Sequence, residues 1–298
     1  MMAYHKAVML DQAINALAIQ PNGTYVDATF GGGGHGKAIL DRLDKGRLIA
    51  FDQDADARDN IPDDDRVLFL NHNFRYIKNL LKFHGHLPVH GILADLGVSS
   101  HQFDEASRGF STRHDGPLDM RMNKDAPVKA ADIVNTYEEP RLADIFYLYG
   151  ELRQARKIAS EIEKLRASNP FETTGGLSAA IQHLAPRGRE NKFMAQVFQA
   201  LRIEVNKELD ALKALLEQSL EVLADGGRLV VISYHSLEDR LVKNFMKSGN
   251  FKGELKKDFY GHPLTPWASA SKVIKPAETE IANNKRARSA RLRWAVKG

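Results

Sequence analysis

Asp27-Ala28-Thr29-Phe30-Gly31-Gly32-Gly33-Gly34-His35-Gly36 is the stretch on which the fold turns. Tyr25-Val26 runs into it as a short apolar strand. A helical pattern carrying Ala38, Ile39 and Leu43 runs out of it. Such a strand-to-helix turn uses glycine to let the backbone approach a ligand closely. Working outward, three more strand candidates follow: Arg47 to Phe51, ending at Asp52; Arg66 to Leu70; and Gly91 to Ala94, ending at Asp95. Helical patterns separate them, which predicts a parallel sheet with crossover helices. Ligands of such sheets bind beyond the carboxyl ends of the strands. Asp27, Asp52 and Asp95 are therefore expected along one edge.

From about Ser107 to Gln199 the alternation stops. Helical patterns fill this region, punctuated by Pro170, Gly175-Gly176 and Pro186-Arg187-Gly188. A long helix is expected from about Ala200 to Leu223, then a turn at Asp225-Gly226-Gly227 and the β-branched strand Arg228 to Ser233. A helix over Leu237 to Met246 and a last strand over Arg291 to Val296 complete the pattern. The reading is an α/β core of residues 1–106 and 200–298 with a helical insertion over 107–199.

Composition narrows the chemistry. The chain has 298 residues, 43% hydrophobic and 27% charged, with 42 basic and 38 acidic residues for a formal charge of +4. That mild basicity permits a polyanionic partner without demanding one. No cysteine is present, which removes disulfides, thiolate zinc sites, cysteine-ligated clusters and cysteine nucleophiles. The opening stretch, interrupted by Asp11 and Asn15, reads as carrying no signal peptide, and no apolar run is long enough to span a bilayer. A cytoplasmic location is the expectation.

Two ligand patterns fit the glycine loop. Gly31, Gly33 and Gly36 satisfy G-x-G-x-x-G, the pyrophosphate loop of nicotinamide-type oxidoreductases. Asp27, Gly31 and Gly33 satisfy D-x-x-x-G-x-G, the loop of S-adenosylmethionine methyltransferases. Asp52 suits either ligand, since a carboxylate there can accept both ribose hydroxyls. Asp27 favours the second, because it would repel a pyrophosphate but attract a sulfonium or an ammonium. Asp95, ending the fourth strand, is placed to stabilise positive charge developing on an exocyclic amine during methyl transfer. The missing cysteine agrees. Covalent methylation of pyrimidine C5 needs a cysteine nucleophile and radical chemistry needs a cysteine-held cluster, so transfer to a heteroatom remains.

The segment Leu93-Ala-Asp95-Leu-Gly-Val-Ser-Ser-His-Gln102 continuing to Arg108-Gly-Phe-Ser-Thr-Arg-His-Asp115-Gly-Pro-Leu-Asp119-Met-Arg-Met122 resembles the MraW/RsmH family. Tyr149-Gly150-Glu151, Phe198-Gln199-Ala200-Leu201-Arg202, Ser233-Tyr234-His235-Ser236-Leu237-Glu238 and Ala287-Arg288-Ser289-Ala290-Arg291 share in the likeness. Met194-Ala195-Gln196-Val197 and Ser111-Thr112-Arg113-His114 depart from the usual family pattern. The resemblance implies a class I, Rossmann-like methyltransferase core with an inserted helical substrate-recognition domain. It implies S-adenosylmethionine as methyl donor and cytidine N4 in the decoding region of 16S ribosomal RNA as acceptor. The RNA would be met within the small ribosomal subunit, with no membrane and no required protein partner. By the same resemblance, Gly33, Gly34, His35, Asp52, Phe74, Asp95 and Gln102 bind the donor, with Phe74 placed to pack on adenine. Asp95 and His235 are the candidate catalytic residues, and no metal is expected.

RNA contact has weaker sequence signals. Arg153, Lys157 and Lys164 fall at helical spacing, and Lys285, Arg286, Arg288, Arg291, Arg293 and Lys297 follow the last acid, Glu280. Trp294, among those cations, is able to stack on a base or to pack inward. His84, His86 and His90 lack a completing carboxylate and read as surface histidines.

Overall fold

Register between the first strands sets the acids side by side. In the computed structural model, which describes residues 7–298, β1 (Thr24–Asp27) lies between β2 (Arg47–Phe51) and β4 (Val89–Asp95). All are parallel, with Asp27 level with Ala50 and Leu93. β3 (Val67–Leu70) pairs with β2, and β5 (Leu223–Ser233) pairs with β4 so that Asp95 stands beside Ile232. β9 (Arg291–Lys297) adds antiparallel to β5, and β8 (Trp267–Ala270) closes the sheet in the order β3-β2-β1-β4-β5-β9-β8. Two short strands, β6 (Lys256–Lys257) and β7 (Pro263–Leu264), form a separate hairpin. Residues 1–6, which open the stretch read as carrying no leader, lie outside the described residues.

The sheet is buried on both faces, as a parallel sheet must be. Side chains alternate between two apolar clusters. Val26, Ile49, Ile92 and Val231 face Leu212, Leu215 and Phe245. Their neighbours Tyr25, Leu48, Leu93 and Val230 face Met9, Leu17 and Ile39. Each such side chain contributes about 1.5–3 kcal/mol on burial. The covering helices are α1 (Leu10–Leu17) and α2 (Gly34–Leu40) on one side, and α3 (Ile77–Phe83), α10 (Glu208–Val222) and α11 (Ser236–Ser248) on the other. This is a doubly wound, Rossmann-like α/β arrangement.

The chain divides into a sheet unit, Met1–Gly97 with Leu209–Gly298, and a helical unit, Val98–Glu208. The helical unit contains α4 (Ser100–Asp104), α5 (Ala130–Thr136), α6 (Glu139–Leu148), α7 (Ala155–Arg166), α8 (Thr174–Ile181) and α9 (Glu190–Asn206). Leu142, Ile145 and Phe146 of α6, Ile158 and Ile162 of α7, and Val197, Phe198 and Leu201 of α9 are spaced by three and four and meet in one core. Asp119 accepts from Arg121 Nε at 2.8 Å, while Arg121 Nη1 donates to the Ala126 carbonyl at 2.7 Å. Arg108 Nη2 donates to the carbonyls of Arg121 and Met122 at 3.0 Å. The most recognisable family segment is thus a polar knot whose partners are within its own unit.

Four sequence expectations change. The helix read from Ala200 to Leu223 is two helices, because Lys207 takes a left-handed backbone (φ 51°) between α9 and α10. Strand β8 has no sequence counterpart in the reading above, since Trp267-Ala-Ser-Ala is short and buries only Trp267. Asp225-Gly226-Gly227 is a bulge inside β5, where the register with β4 jumps, and not a free turn. Arg153 precedes α7 and does not share a helical face with Lys157 and Lys164. Among the described residues no helix is long and apolar enough to cross a membrane.

Candidate active site

The glycine loop is shaped first by its own phenylalanine. Phe30 is buried, and a Cβ on Gly36 would lie 2.6 Å from its ring; one on Gly33 would lie 2.9 Å away. Gly33 also caps α2 with φ 75°, a conformation that favours glycine. Gly34 is held against Ala7, whereas a Cβ on Gly32 would meet nothing within 4 Å. Open backbone therefore sits at Gly32, beside the predicted Gly33 and Gly34.

Asp52 ties this loop to the end of β2. Its Oδ2 accepts from Gly31 N–H at 2.7 Å and its Oδ1 from Asp54 N–H at 2.8 Å. A carboxylate oxygen can accept more than one hydrogen bond, so holding these amides does not in itself exclude a ribose hydroxyl. Asn71 Nδ2 donates to the Asp52 carbonyl at 2.9 Å, and Asn73 Nδ2 to Gln53 Oε1 at 2.7 Å. These bonds bring the loop after β3 against the loop after β2. Phe74 follows directly, partly buried at the start of a short 3-10 turn, Phe74–Tyr76.

Asp27 ends β1 fully buried. Its Oδ1 accepts from Thr29 N–H at 3.1 Å, and its Oδ2 has no hydrogen-bond partner. Burial pushes its pKa up to about 6, aided by the charges of Asp95 and Asp52 and opposed by His35 and the Thr29 amide. His35 is also buried. Its Nε2 lies 3.0 Å from the Val8 carbonyl, which can only accept, so the proton sits on Nε2. Burial lowers its pKa, and the neutral ring presents Nδ1 toward Asp95 Oδ2 at 3.7 Å. That separation is electrostatic contact, beyond a direct hydrogen bond.

Asp95 stands at the end of β4, its amide donating to Thr29 Oγ1 at 2.7 Å. Its side chain keeps 22% of its exposure, so one edge remains open. Tyr234, just after β5, donates its hydroxyl to Asp95 Oδ1 at 2.7 Å. Desolvation pushes the Asp95 pKa up to about 7; the Tyr234 bond opposes this and the charge of Glu238 adds to it. Burial, and then the charge of Asp95, hold the Tyr234 hydroxyl well above its ordinary range. Tyr234 has no role in the sequence reading. Its signal is the motif Tyr234-His235-Ser236-Leu237-Glu238, whose cap-to-N3 spacing foretells a helix start.

His235 is that cap. Its Nδ1 accepts from Glu238 N–H at 3.4 Å, and its Nε2 lies 3.1 Å from Glu238 Oε1. Glu238 Oε2 in turn accepts from Tyr234 N–H at 2.8 Å. Both ring nitrogens of His235 thus face Glu238. Gln102 belongs to the helical unit, where it is buried and its Oε1 accepts from Ser99 N–H at 3.1 Å, closing a capping box on α4. Asp27, His35, Asp52, Asp95 and Tyr234 share the carboxyl edge of the sheet unit. Three carboxylates and a neutral imidazole form a field that attracts a cationic ligand and opposes a pyrophosphate.

The basic tail is used mostly within the fold. Arg293 Nε and Arg291 Nη1 bind Asp239 at 2.8 and 2.9 Å, and Lys297 Nζ donates to the Leu223 carbonyl at 2.8 Å. Trp294 packs inward, with the Arg228 guanidinium 5.2 Å from its ring centroid. Lys285 and Arg288 remain exposed. His90, read as a surface group, accepts from Thr24 N–H through Nδ1 at 3.0 Å.

Residues 2–298 match the MraW methylase family. A protein of Bacteroides fragilis named ribosomal RNA small subunit methyltransferase H is 57% identical over 296 residues, covering 99% of this chain and 97% of that protein. Proteins of the same name from Bacteroides thetaiotaomicron and Flavobacterium johnsoniae are 56% and 53% identical, each covering 99% of this chain and 98% of its counterpart.

Proposed function

The chain belongs to the MraW methylase family, and from that premise we propose that it methylates small-subunit ribosomal RNA with S-adenosylmethionine as donor. The acceptor in this reading is the exocyclic N4 of a cytidine in the decoding region of 16S RNA. The observation that carries it is the acidic edge formed by Asp27, Asp52 and Asp95, a setting for a sulfonium donor and a poor one for a dinucleotide.

When bound, the donor supplies an electrophilic methyl group; the rest is done by the chain. Asp52 receives the ribose hydroxyls while keeping the Gly31 amide in place. Gly33, Gly34 and His35 line the donor through the loop, Phe74 packs on the adenine, and family resemblance adds Gln102. Asp95, with its open edge, accepts from the donor's ammonium or from the target amine, and offsets positive charge as it develops on N4. Tyr234 aims that carboxylate. His235 acts as a positioning residue that fixes the Tyr234 turn through Glu238, and water takes the final proton. The helical unit is the substrate-recognition part, and cytoplasm is the compartment where ribosomal RNA is met.

Incubation with labelled S-adenosylmethionine and unmethylated small subunits tests the reading. Label recovered as N4-methylcytidine supports it. Label recovered only on another atom or nucleotide overturns the assigned acceptor.

A further inference from the structure

The hairpin β6–β7 carries two aromatic rings into solvent with no apolar partner inside the fold to explain them. Phe259 is 96% exposed and Tyr260 81% exposed, two of the three highest values among the large hydrophobic side chains described. Their rings lie edge to face, with centroids 5.5 Å apart. Water solvates such surface poorly, so a patch of this kind marks a contact site.

The tip is built to hold its shape. Asp258 accepts from the amides of Tyr260 and His262 at 2.9 and 2.8 Å, and its own amide donates to the His262 carbonyl at 2.9 Å. The carboxylate is therefore turned into the loop. The root is anchored as well. Phe251 stacks on the core residue Phe245 with centroids 5.1 Å apart, and Asn244 Nδ2 donates to the Phe251 carbonyl at 2.9 Å. Lys252, Lys256 and Lys257 along the arm are exposed, and Glu254 is the acid left facing solvent beside them. Rigid aromatic faces flanked by lysines match a single-stranded nucleic acid, whose bases stack and whose phosphates pair with cations. A protein partner would not require the lysines. A lipid surface would more commonly be met by an amphipathic helix.

We propose that this hairpin is a stacking arm for unpaired ribosomal RNA nucleotides, with Phe259 and Tyr260 taking base faces and Lys256 and Lys257 the adjacent phosphates. The proposal rests on the reading of the chain as an RNA methyltransferase and adds a contact outside the acidic edge. The test uses the full chain, a fluorescein-labelled unstructured RNA oligonucleotide and anisotropy, with methyl transfer to small subunits measured on the same samples. F259A/Y260A should weaken RNA binding about tenfold or more. The aromatic replacement F259Y/Y260F should restore it. K256A/K257A should reduce the slope of log affinity against log salt by about 1.4. The exposure of these side chains leaves folding unaffected, which an unchanged melting temperature will register. Equal RNA affinity of F259A/Y260A and the parent chain overturns the arm, and so does a loss confined to phosphatidylglycerol–phosphatidylcholine vesicles. A parent chain that binds RNA through these residues but never forms N4-methylcytidine strikes the proposed reaction and leaves the arm standing.

Discussion

In the sheet unit Asp27 and Asp95 end neighbouring strands in buried surroundings that raise their pKa values, whereas in the helical unit Asp119 closes on Arg121 and Glu208 on Arg202. The consequences run in opposite directions. At the sheet edge burial drives Asp27 and Asp95 toward protonation near neutral pH, and Asp27 Oδ2 is left without a partner. In the helical unit Asp119 is held below the usual carboxylate range; burial opposes this shift, and the Arg121 bonds outweigh it. Electrostatic tension at one edge is what a cationic ligand would relieve. Neutralised charge in the other unit serves to hold loops in place.

Four changes break or sharpen this contrast. Asp119→Ala should be the most damaging to folding, costing about 3 kcal/mol, because Arg121 loses its partner near the Arg108 carbonyl contacts. Denaturant melts check it, and a loss under 1 kcal/mol would mean the knot is not structural. Asp52→Ala should lower S-adenosylmethionine affinity about a hundredfold, or about 2.7 kcal/mol, with a smaller loss of stability from the Gly31 and Asp54 amides it releases. Unchanged calorimetric affinity would remove Asp52 from the donor site.

Asp95→Asn should behave oppositely to Asp119→Ala. A folded pKa raised to about 7 means that the wild-type contribution is fully present below the unfolded value near 4 and is lost as pH rises through 7. The asparagine variant cannot ionise. It should therefore be more stable than the parent at pH 8, by on the order of 1–2 kcal/mol given the open edge, and equal to it at pH 4. Its turnover should still collapse. Lower stability than the parent at pH 8 would contradict the tension assigned to this edge. The smallest effect is expected from Tyr234→Phe. Removing the donor raises the Asp95 pKa further, so donor affinity should begin to fall at a higher pH, with about a threefold loss at pH 7. An unshifted pH profile would leave Tyr234 without a positioning role.

Much of this was legible in residue order. Strands β1 to β5 and β9 announce themselves because each is a short apolar run, and the acids stand out because they end such runs. What escaped was set by partners far along the chain. Trp267 makes β8 a strand by burying against the sheet and donating Nε1–H to the Phe245 carbonyl at 3.0 Å, which four residues of sequence do not disclose. Lys207 breaks a helix by a single left-handed residue of unremarkable type. The glycines were noticed for the ligand they admit, yet Gly33 and Gly36 are required locally by the Phe30 ring. His235, a candidate catalytic residue in the sequence, is also the cap of α11.

Asp95 and Tyr234 meet across 139 residues of chain. A ribosome making this protein therefore finishes the glycine loop, Asp52 and Asp95 long before Tyr234 emerges. The whole helical unit is synthesised in between. That unit is contiguous and can complete itself on the nascent chain, while β1 to β4 wait for β5, the next strand beside β4. The hydroxyl that aims Asp95 is among the later parts to arrive, so a prematurely terminated chain would carry a carboxylate edge with nothing to orient it. Assembly order thus places the orientation of Asp95 after synthesis of β5 and the turn that follows it.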